Sequence, residues 1–313
     1  MNIFITGSSG FIGKNLVNFL INYNESIKNI YVLSRYQRNI SKHNKNNKIK
    51  IINILNLNKK IDIDVIIHLA SKAHIKNFSE DDAKYSLFLT KELLSFSALN
   101  NIKKFIYLSS IKVYGENNTE KNIFNEIDIT NPECEYSKSK LENENEIISF
   151  FNQKNINYYI LRIPLVIGKG AKGNLSSLMK IISKNIPLPL DKIENKRSVL
   201  SITNLINAVN NILIINNVES GVFNICDYRP ISTSELINSI KKFLEKKTFI
   251  FYFNKKIIKF FLSLFGRTDD YSKLFLSQII DNNKSINNKI YQNHISTQDE
   301  IKNMVYEFKK NNE

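Results

Sequence analysis

Residues 2–20, "NIFITGSSGFIGKNLVNFL", decide how this chain is read. The apolar run "NIFIT" passes directly into Gly7, Gly10 and Gly13, and then into the amphipathic stretch "KNLVNFLINY" (14–23). A strand, a glycine turn and a helix in that order let backbone N–H groups approach a pyrophosphate, with the helix N-terminus turned toward the anion. Phe11 and Ile12 lie between the last two glycines, so their amides belong to the same turn.

Further β-rich runs follow at 29–33 ("NIYVL"), 49–55 ("IKIINIL"), 64–69 ("DVIIHL"), 104–109 ("KFIYLS") and 157–163 ("NYYILRI"), with helix-length segments between most of them. This alternation predicts an α/β fold, a Rossmann-type doubly wound parallel sheet. The expected division is a dinucleotide-binding domain over 1–163 and a smaller, discontinuous lobe that takes most of 164–313. "SVLSIT" (198–203) and "GVFNIC" (221–226) read as returns to the main sheet. "GKGAKGN" (168–174), "IPLPLDK" (186–192) and the Asn-rich "IIDNNKSINNK" (279–289) read as loops.

The 313 residues are 42% hydrophobic and 23% charged, an ordinary globular balance. The net charge of +15 is dispersed along a chain rich in Lys, Asn and Ile, as in "SKHNKNNKIK" (41–50), so compositional bias explains more of it than a nucleic-acid surface. Cys134 and Cys226 form no CxxC and the four histidines are scattered, which points to a reducing compartment and no metal site. No leader-like segment precedes the first strand, and the apolar runs are too short to span a bilayer. A cytoplasmic location without stable membrane insertion is the expectation. "FNKKIIKFFLSLFG" (253–266) is basic and amphipathic, and reads as a helix packed on its own domain before a membrane-surface element.

At the end of the second strand, "VLSRYQRN" (32–39) carries Ser34, Arg35 and Arg38 and no acid to hold a ribose hydroxyl. Two guanidiniums there suit a 2′-phosphate, so NADP(H) is favoured and NAD(H) stays open, with solvated loop charges as the alternative reading. "EYSKSKLE" (135–142) sets Tyr136 and Lys140 one helical turn apart, a spacing that by itself marks only surface neighbours.

Taken in order, the glycine turn, "IIHLASKAH" (66–74), "LSSIKVYGE" (108–116) and "YSKSK" (136–140) resemble the extended short-chain dehydrogenase/reductases, also called the NAD-dependent epimerase/dehydratase family. The resemblance runs on through "LRIPLVIGKG", "NIPLPL", "RSVLSITNLINAV" and "FNICDYRPISTSEL", to about residue 240. It implies a catalytic trio of Ser110, Tyr136 and Lys140, with Ser109 the alternative to Ser110 by one place. A free phenol titrates near 10, and a lysine one turn away would favour its ionised form. Cofactor contacts are implied at Gly7, Gly10, Phe11, Ile12 and Gly13, at Leu69, Ala70 and Ser71, and at Arg35, Arg38 and Pro164. Tyr136 and Lys140 would face the nicotinamide ribose. Asn56 and Ser86 stand where the family usually has Asp and Asn.

Substrate contacts are implied at Ser110, Asn174 and Arg197, with Arg267 and Lys273 closing over a diphosphate. Ile111 and Lys112 occupy the positions where 4,6-dehydratases carry acids, which argues against elimination. The wording is most similar to a bacterial surface-polysaccharide (O-antigen or capsule) subgroup that reduces the C4 ketone of a UDP-2-acetamido-2,6-dideoxy-hexos-4-ulose with NADPH. The alternatives are a UDP-hexose 4-epimerase with tightly held NAD and a non-catalytic Rossmann-fold sensor or RNA-associated protein. A homodimer through the helix bearing Tyr136 is implied by the resemblance. Cys134 reads as a passive loop thiol before a substrate contact, and His68 and His74 as packing or surface residues.

Overall fold

The computed structural model describes residues 1–34, 48–54, 57–71, 78–115, 123–154, 156–215, 218–264 and 268–312. The chain opens with strand β1 (Asn2–Thr6), helix α1 (Phe11–Tyr23), β2 (Asn29–Ser34), β3 (Ile49–Asn53), β4 (Val65–His68), α2 (Glu80–Leu99) and β5 (Lys104–Ser110). It continues with β6 (Ile123–Phe124), α3 (Glu135–Phe151), β7 (Asn157–Ile163), β8 (Leu165–Ile167), α4 (Asn174–Ser183), β9 (Val199–Ser201), α5 (Ile202–Ile214) and β10 (Gly221–Asn224). The last part holds α6 (Thr233–Leu244), α7 (Lys255–Leu264), α8 (Thr268–Phe275), β11 (Ile279–Ile280), α9 (Asn283–Asn287) and α10 (Thr297–Lys310).

Seven strands form one parallel sheet in the order β10-β7-β5-β4-β1-β2-β3. Every residue of β1, β4 and β5 is buried. That explains why these strands read as continuous apolar runs, since both faces of the sheet are covered. Side chains alternate across β1: Ile3 and Ile5 join Leu16, Leu20, Leu205 and Val209 under α1 and α5, while Phe4 joins Ile66, Leu93, Phe96, Ile147 and Phe151 under α2 and α3. Lys104, buried at the start of β5, donates from Nζ to the carbonyls of Ile212 (2.7 Å), Leu213 (3.2 Å) and Ile215 (2.6 Å), and so closes the C-terminal end of α5.

A further core collects Ile167, Leu175, Met179, Ile182, Ile237, Ile240, Ile301 and Met304 from α4, α6, α10 and β8. α2 and α6 start on capping boxes, Ser79 with Asp82 and Ser232 with Glu235. The chain order reverses between β1 and β4, which opens a crevice at the C-terminal ends of those strands. Gly7 and Leu69 stand there.

The structure corrects three expectations. "GVFN" does return to the main sheet as β10, but "VLS" of "SVLSIT" does not: β9 pairs with β8 in a separate two-stranded sheet. Pro164 has no N–H to donate and sits between β7 and β8, where the chain leaves the main sheet. Residues 279–289 are not all loop, because β11 pairs with β6 and α9 follows, with Asn282 Nδ2 bonded to Cys226 O at 2.7 Å. α7 forms within the basic amphipathic stretch, yet much of its apolar side faces outward.

Candidate active site

The glycine turn is built by close approach. Gly7 has φ +72°, and a Cβ there would stand 2.8 Å from Leu69 C and Ala70 N. A Cβ on Gly13 would lie 2.2 Å from Gly7 O. Gly10 N–H donates to Gly7 O at 3.0 Å, and Gly10 caps α1 without a side chain. The first-turn amides of Phe11, Ile12 and Gly13 are those no helical carbonyl takes. Residues 168–170 lie over the same turn, with Asn15 Nδ2 bonded to Lys169 O at 3.1 Å and a Cβ on Gly170 only 3.7 Å from the Phe11 ring.

Across the crevice, Leu69 N–H donates to Thr6 O (3.3 Å) and Ala70 N–H to Thr6 Oγ1 (3.2 Å). His68, buried between Thr6 (2.7 Å) and Thr90 (3.1 Å), is a packing residue, and burial drives it to about 3, so it stays neutral. A backbone cradle that a Cβ would fill, ending on a helix N-terminus, fits the diphosphate of a dinucleotide. Gly13→Ala is therefore expected to weaken NADP(H) or NAD(H) binding by about tenfold or more, roughly 1.4 kcal/mol, in a fluorescence titration. Unchanged affinity would show that the turn relaxes freely.

Cys134 is the N-cap of α3, with its N–H on Ser137 Oγ at 3.1 Å. The helix then brings Tyr136 and Lys140 over the C-terminal end of β5. Lys140 is buried, donates from Nζ to Leu108 O at 2.7 Å, and stands 4.6 Å from the Tyr107 ring and 5.9 Å from the Tyr136 ring. Burial brings its amine down to about 7, against an upward pull from Glu144. Tyr136 is half-buried, and its phenol is pushed up to about 12, by burial first and the Cys134 thiol second, while the Ser110 and Ser71 hydroxyls favour the ionised form.

Ser110 and Ser109 diverge by the strand's alternation. Ser110 faces Tyr136, and its Oγ accepts Lys112 N–H at 3.3 Å. Ser109 donates to Glu144 Oε1.

Lys140 has an unfolded-state pKa of about 10.4 and titrates near 7 in the folded chain. Between those values the unfolded chain holds more protons, so this group makes stability rise with pH, and below about 7 its penalty is constant. Lys140→Met is expected to flatten that rise in urea midpoints measured from about pH 7 to about pH 9. A wild-type slope in the variant would assign the rise to other groups.

Beneath the trio lies a buried ionic cluster. Glu144, one turn past Lys140 on α3, takes Arg162 of β7 in a fork, with Nη2 at 2.7 Å from Oε2 and Nε at 3.1 Å, and accepts Ser109 as well. Arg162 also lies 4.8 Å over the Tyr114 ring, whose hydroxyl donates to Asn224 Oδ1 at 2.9 Å. Sequence reasoning missed this pair. The available signal was an arginine within the apolar run "NYYILRI", since a charge in a strand buried on both faces requires a partner.

Other expected residues are placed as follows. Ser71 is exposed beside Tyr136. Ser86 of α2 accepts Asn143 Nδ2 of α3 at 2.9 Å, tying the two helices together one turn from Lys140. Pro164 is buried just past Ile163, which pairs with Ser110. Asn174 is exposed at the start of α4. Arg197 is half-buried and donates from Nη1 to the carbonyls of Ser272 (3.1 Å) and Leu276 (3.0 Å), and from Nη2 to Gln278 Oε1 (3.1 Å).

Lys273 falls on α8, and Arg35, Arg38, Asn56, His74 and Arg267 lie outside the described residues. Ile111 is buried and Lys112 half-buried in the turn after Ser110. A cleft of about 660 Å³ around Lys196, Asp227, Arg229 and Asp281 includes none of the trio. Among the described residues no cluster of three or more His, Cys, Asp or Glu could hold a metal, and no helix is long and apolar enough to cross a membrane.

Comparison with known proteins gives this arrangement a context. The model of the NAD dependent epimerase/dehydratase family matches residues 3–226. A Vibrio cholerae protein named UDP-glucose 4-epimerase is 30% identical over 289 residues, 87% of this chain and 85% of its own. An Escherichia coli protein named dTDP-4-dehydro-6-deoxyglucose reductase is 28% identical, over 79% of this chain and 83% of its own. Among solved structures, the UDP-glucuronic acid 4-epimerase of Bacillus cereus in complex with NAD superposes with a TM-score of 0.80 at 21% identity, covering all of both chains. At that identity the likeness is one of fold.

Proposed function

Because the chain belongs to the NAD dependent epimerase/dehydratase family of enzymes, we propose that it reduces the C4 ketone of a UDP-linked 2-acetamido-2,6-dideoxy-hexos-4-ulose, with NADPH as reductant. The observation that carries this reading is the grouping of Ser110, Tyr136 and Lys140 at one strand end, with Ile111 and Lys112 in place of acids beside it. The lack of an acid in "VLSRYQRN" supports NADPH.

Bound in the crevice, a reduced nicotinamide supplies the hydride for C4. Ser110 donates a hydrogen bond to the ketone oxygen and holds it against Tyr136. Tyr136, its phenol protonated at neutral pH, gives its proton to that oxygen as the alcohol forms. Lys140 in its ammonium form stabilises the phenolate left behind and holds the nicotinamide ribose. Arg197 and Asn174 bind the UDP diphosphate from the second lobe, joined by Arg267 and Lys273. Elimination would need a base for the C5 proton, and residues 111 and 112 offer no carboxylate for it.

Purified protein is expected to oxidise NADPH faster than NADH when given freshly made UDP-4-keto-6-deoxy-N-acetylglucosamine, read as loss of nicotinamide absorbance. A folded protein inert to both reductants would overturn the assignment. A 4-epimerase is the second reading, favoured by the name of the Vibrio relative. It is recognised by NAD retained through purification and by interconversion of C4 epimers without added reductant.

A further inference from the structure

Residues 246–264 contain five lysines and no acid. Within this span Phe249, Tyr252, Phe253, Ile257, Phe260 and Leu264 are each between 40% and 66% exposed. Other exposed large apolar residues among those described gather at most three together, at Ile123, Ile127 and Ile129. Ile257, Phe260 and Leu264 recur at i, i+3 and i+7, one stripe of α7, and Ile258 and Leu262 are its half-buried positions. Lys256 and Lys259 follow one edge of the stripe on helical spacing. The segment before α7 is anchored to the lobe, with Leu188 N–H on Phe249 O and Phe251 N–H on Leu188 O, both at 3.0 Å. The patch is therefore displayed from a fixed base.

We propose that residues 246–264, centred on α7, form a peripheral docking surface for an anionic lipid bilayer. Aromatic and aliphatic side chains enter the headgroup boundary, and the lysines lie against lipid phosphates on flexible stems. Charge selects this occupant. Pairing the face with a second copy would bring five cations against five, whereas an anionic leaflet neutralises them, each lysine adding roughly fivefold to the partition coefficient. Nucleic acid would meet the charge but offer no apolar phase to Ile257 and Leu264. α8, which carries Lys273, packs on α7, so docking sets the second lobe against the membrane. The inference is independent of the net reaction at C4.

The test is flotation of the full chain with phosphatidylcholine vesicles, with and without phosphatidylglycerol, at low and raised salt. The expected result is capture by the anionic vesicles alone, weakened by salt. Phe260→Ser with Leu264→Ser is expected to cut the bound fraction by about tenfold or more, and Lys255→Gln, Lys256→Gln and Lys259→Gln together by about a hundredfold in partitioning. Thermal unfolding confirms that the variants fold. A folded wild type that ignores anionic vesicles overturns the proposal, as does undiminished binding by both variants. An oligomer that the serine variant splits, with no vesicle binding, assigns the face to a second copy instead.

Discussion

Tyr136→Phe is expected to lower kcat for ketone reduction by about 10²- to 10⁴-fold, the range that general acid catalysis contributes, with dinucleotide affinity little changed. The ring stays: its edge-on contact with Phe78 and its place beside Lys140 do not involve the hydroxyl. What goes is the phenolic hydroxyl that faces Ser110. Steady-state kinetics with a parallel cofactor titration separates the two effects. A variant as fast as wild type would remove the phenol from the mechanism, and a variant that loses the dinucleotide would make Tyr136 a binding residue.

Glu144→Ala is expected to destabilise the fold by about 3–5 kcal/mol, the usual result of stranding a buried charge. The Arg162 side chain is 6% exposed and that of Glu144 fully buried, so water does not reach the guanidinium once the carboxylate is gone. The Tyr114 ring and hydroxyl stay beside Arg162, but neither carries a charge to balance the guanidinium. Glu144 also sustains the charge on Lys140, so the variant should lower that amine further. Urea unfolding measures the loss. Replacing Glu144 and Arg162 together by Met should recover most of it, because a paired exchange strands nothing. If the double variant is no better than the single one, the energy lies in contacts of Arg162 with its other neighbours.

Much of this architecture was legible in the sequence because a parallel sheet writes its strands as apolar runs and its turn as spaced glycines. β1, β4, β5 and β7 fall where those runs stand. The Tyr136–Lys140 pair was legible for the same reason, a fixed offset on one helix. Features that depend on which strand lies beside which were not. The choice between Ser109 and Ser110 turns on the alternation of β5, and the partner of Arg162 lies 18 residues away on a helix above it. Past Pro164, β8 and β9 form their own ladder, a pairing that no local propensity announces. In α7 the helical period shows that an apolar side exists, and only the structure shows that Ile257, Phe260 and Leu264 stay exposed on it.

The most direct test of the central claim is to follow deuterium. The protein is incubated with UDP-4-keto-6-deoxy-N-acetylglucosamine and NADPH deuterated at the transferable position of the nicotinamide, and the product is read by proton NMR. Reduction by the proposed route predicts a UDP-6-deoxy-N-acetylhexosamine carrying deuterium at C4 and nowhere else on the ring, formed in step with NADPH consumed. A folded protein that leaves the ketone and the NADPH unchanged, yet interconverts the C4 epimers of a UDP-N-acetylhexosamine without added reductant, would contradict the account and make the chain an epimerase.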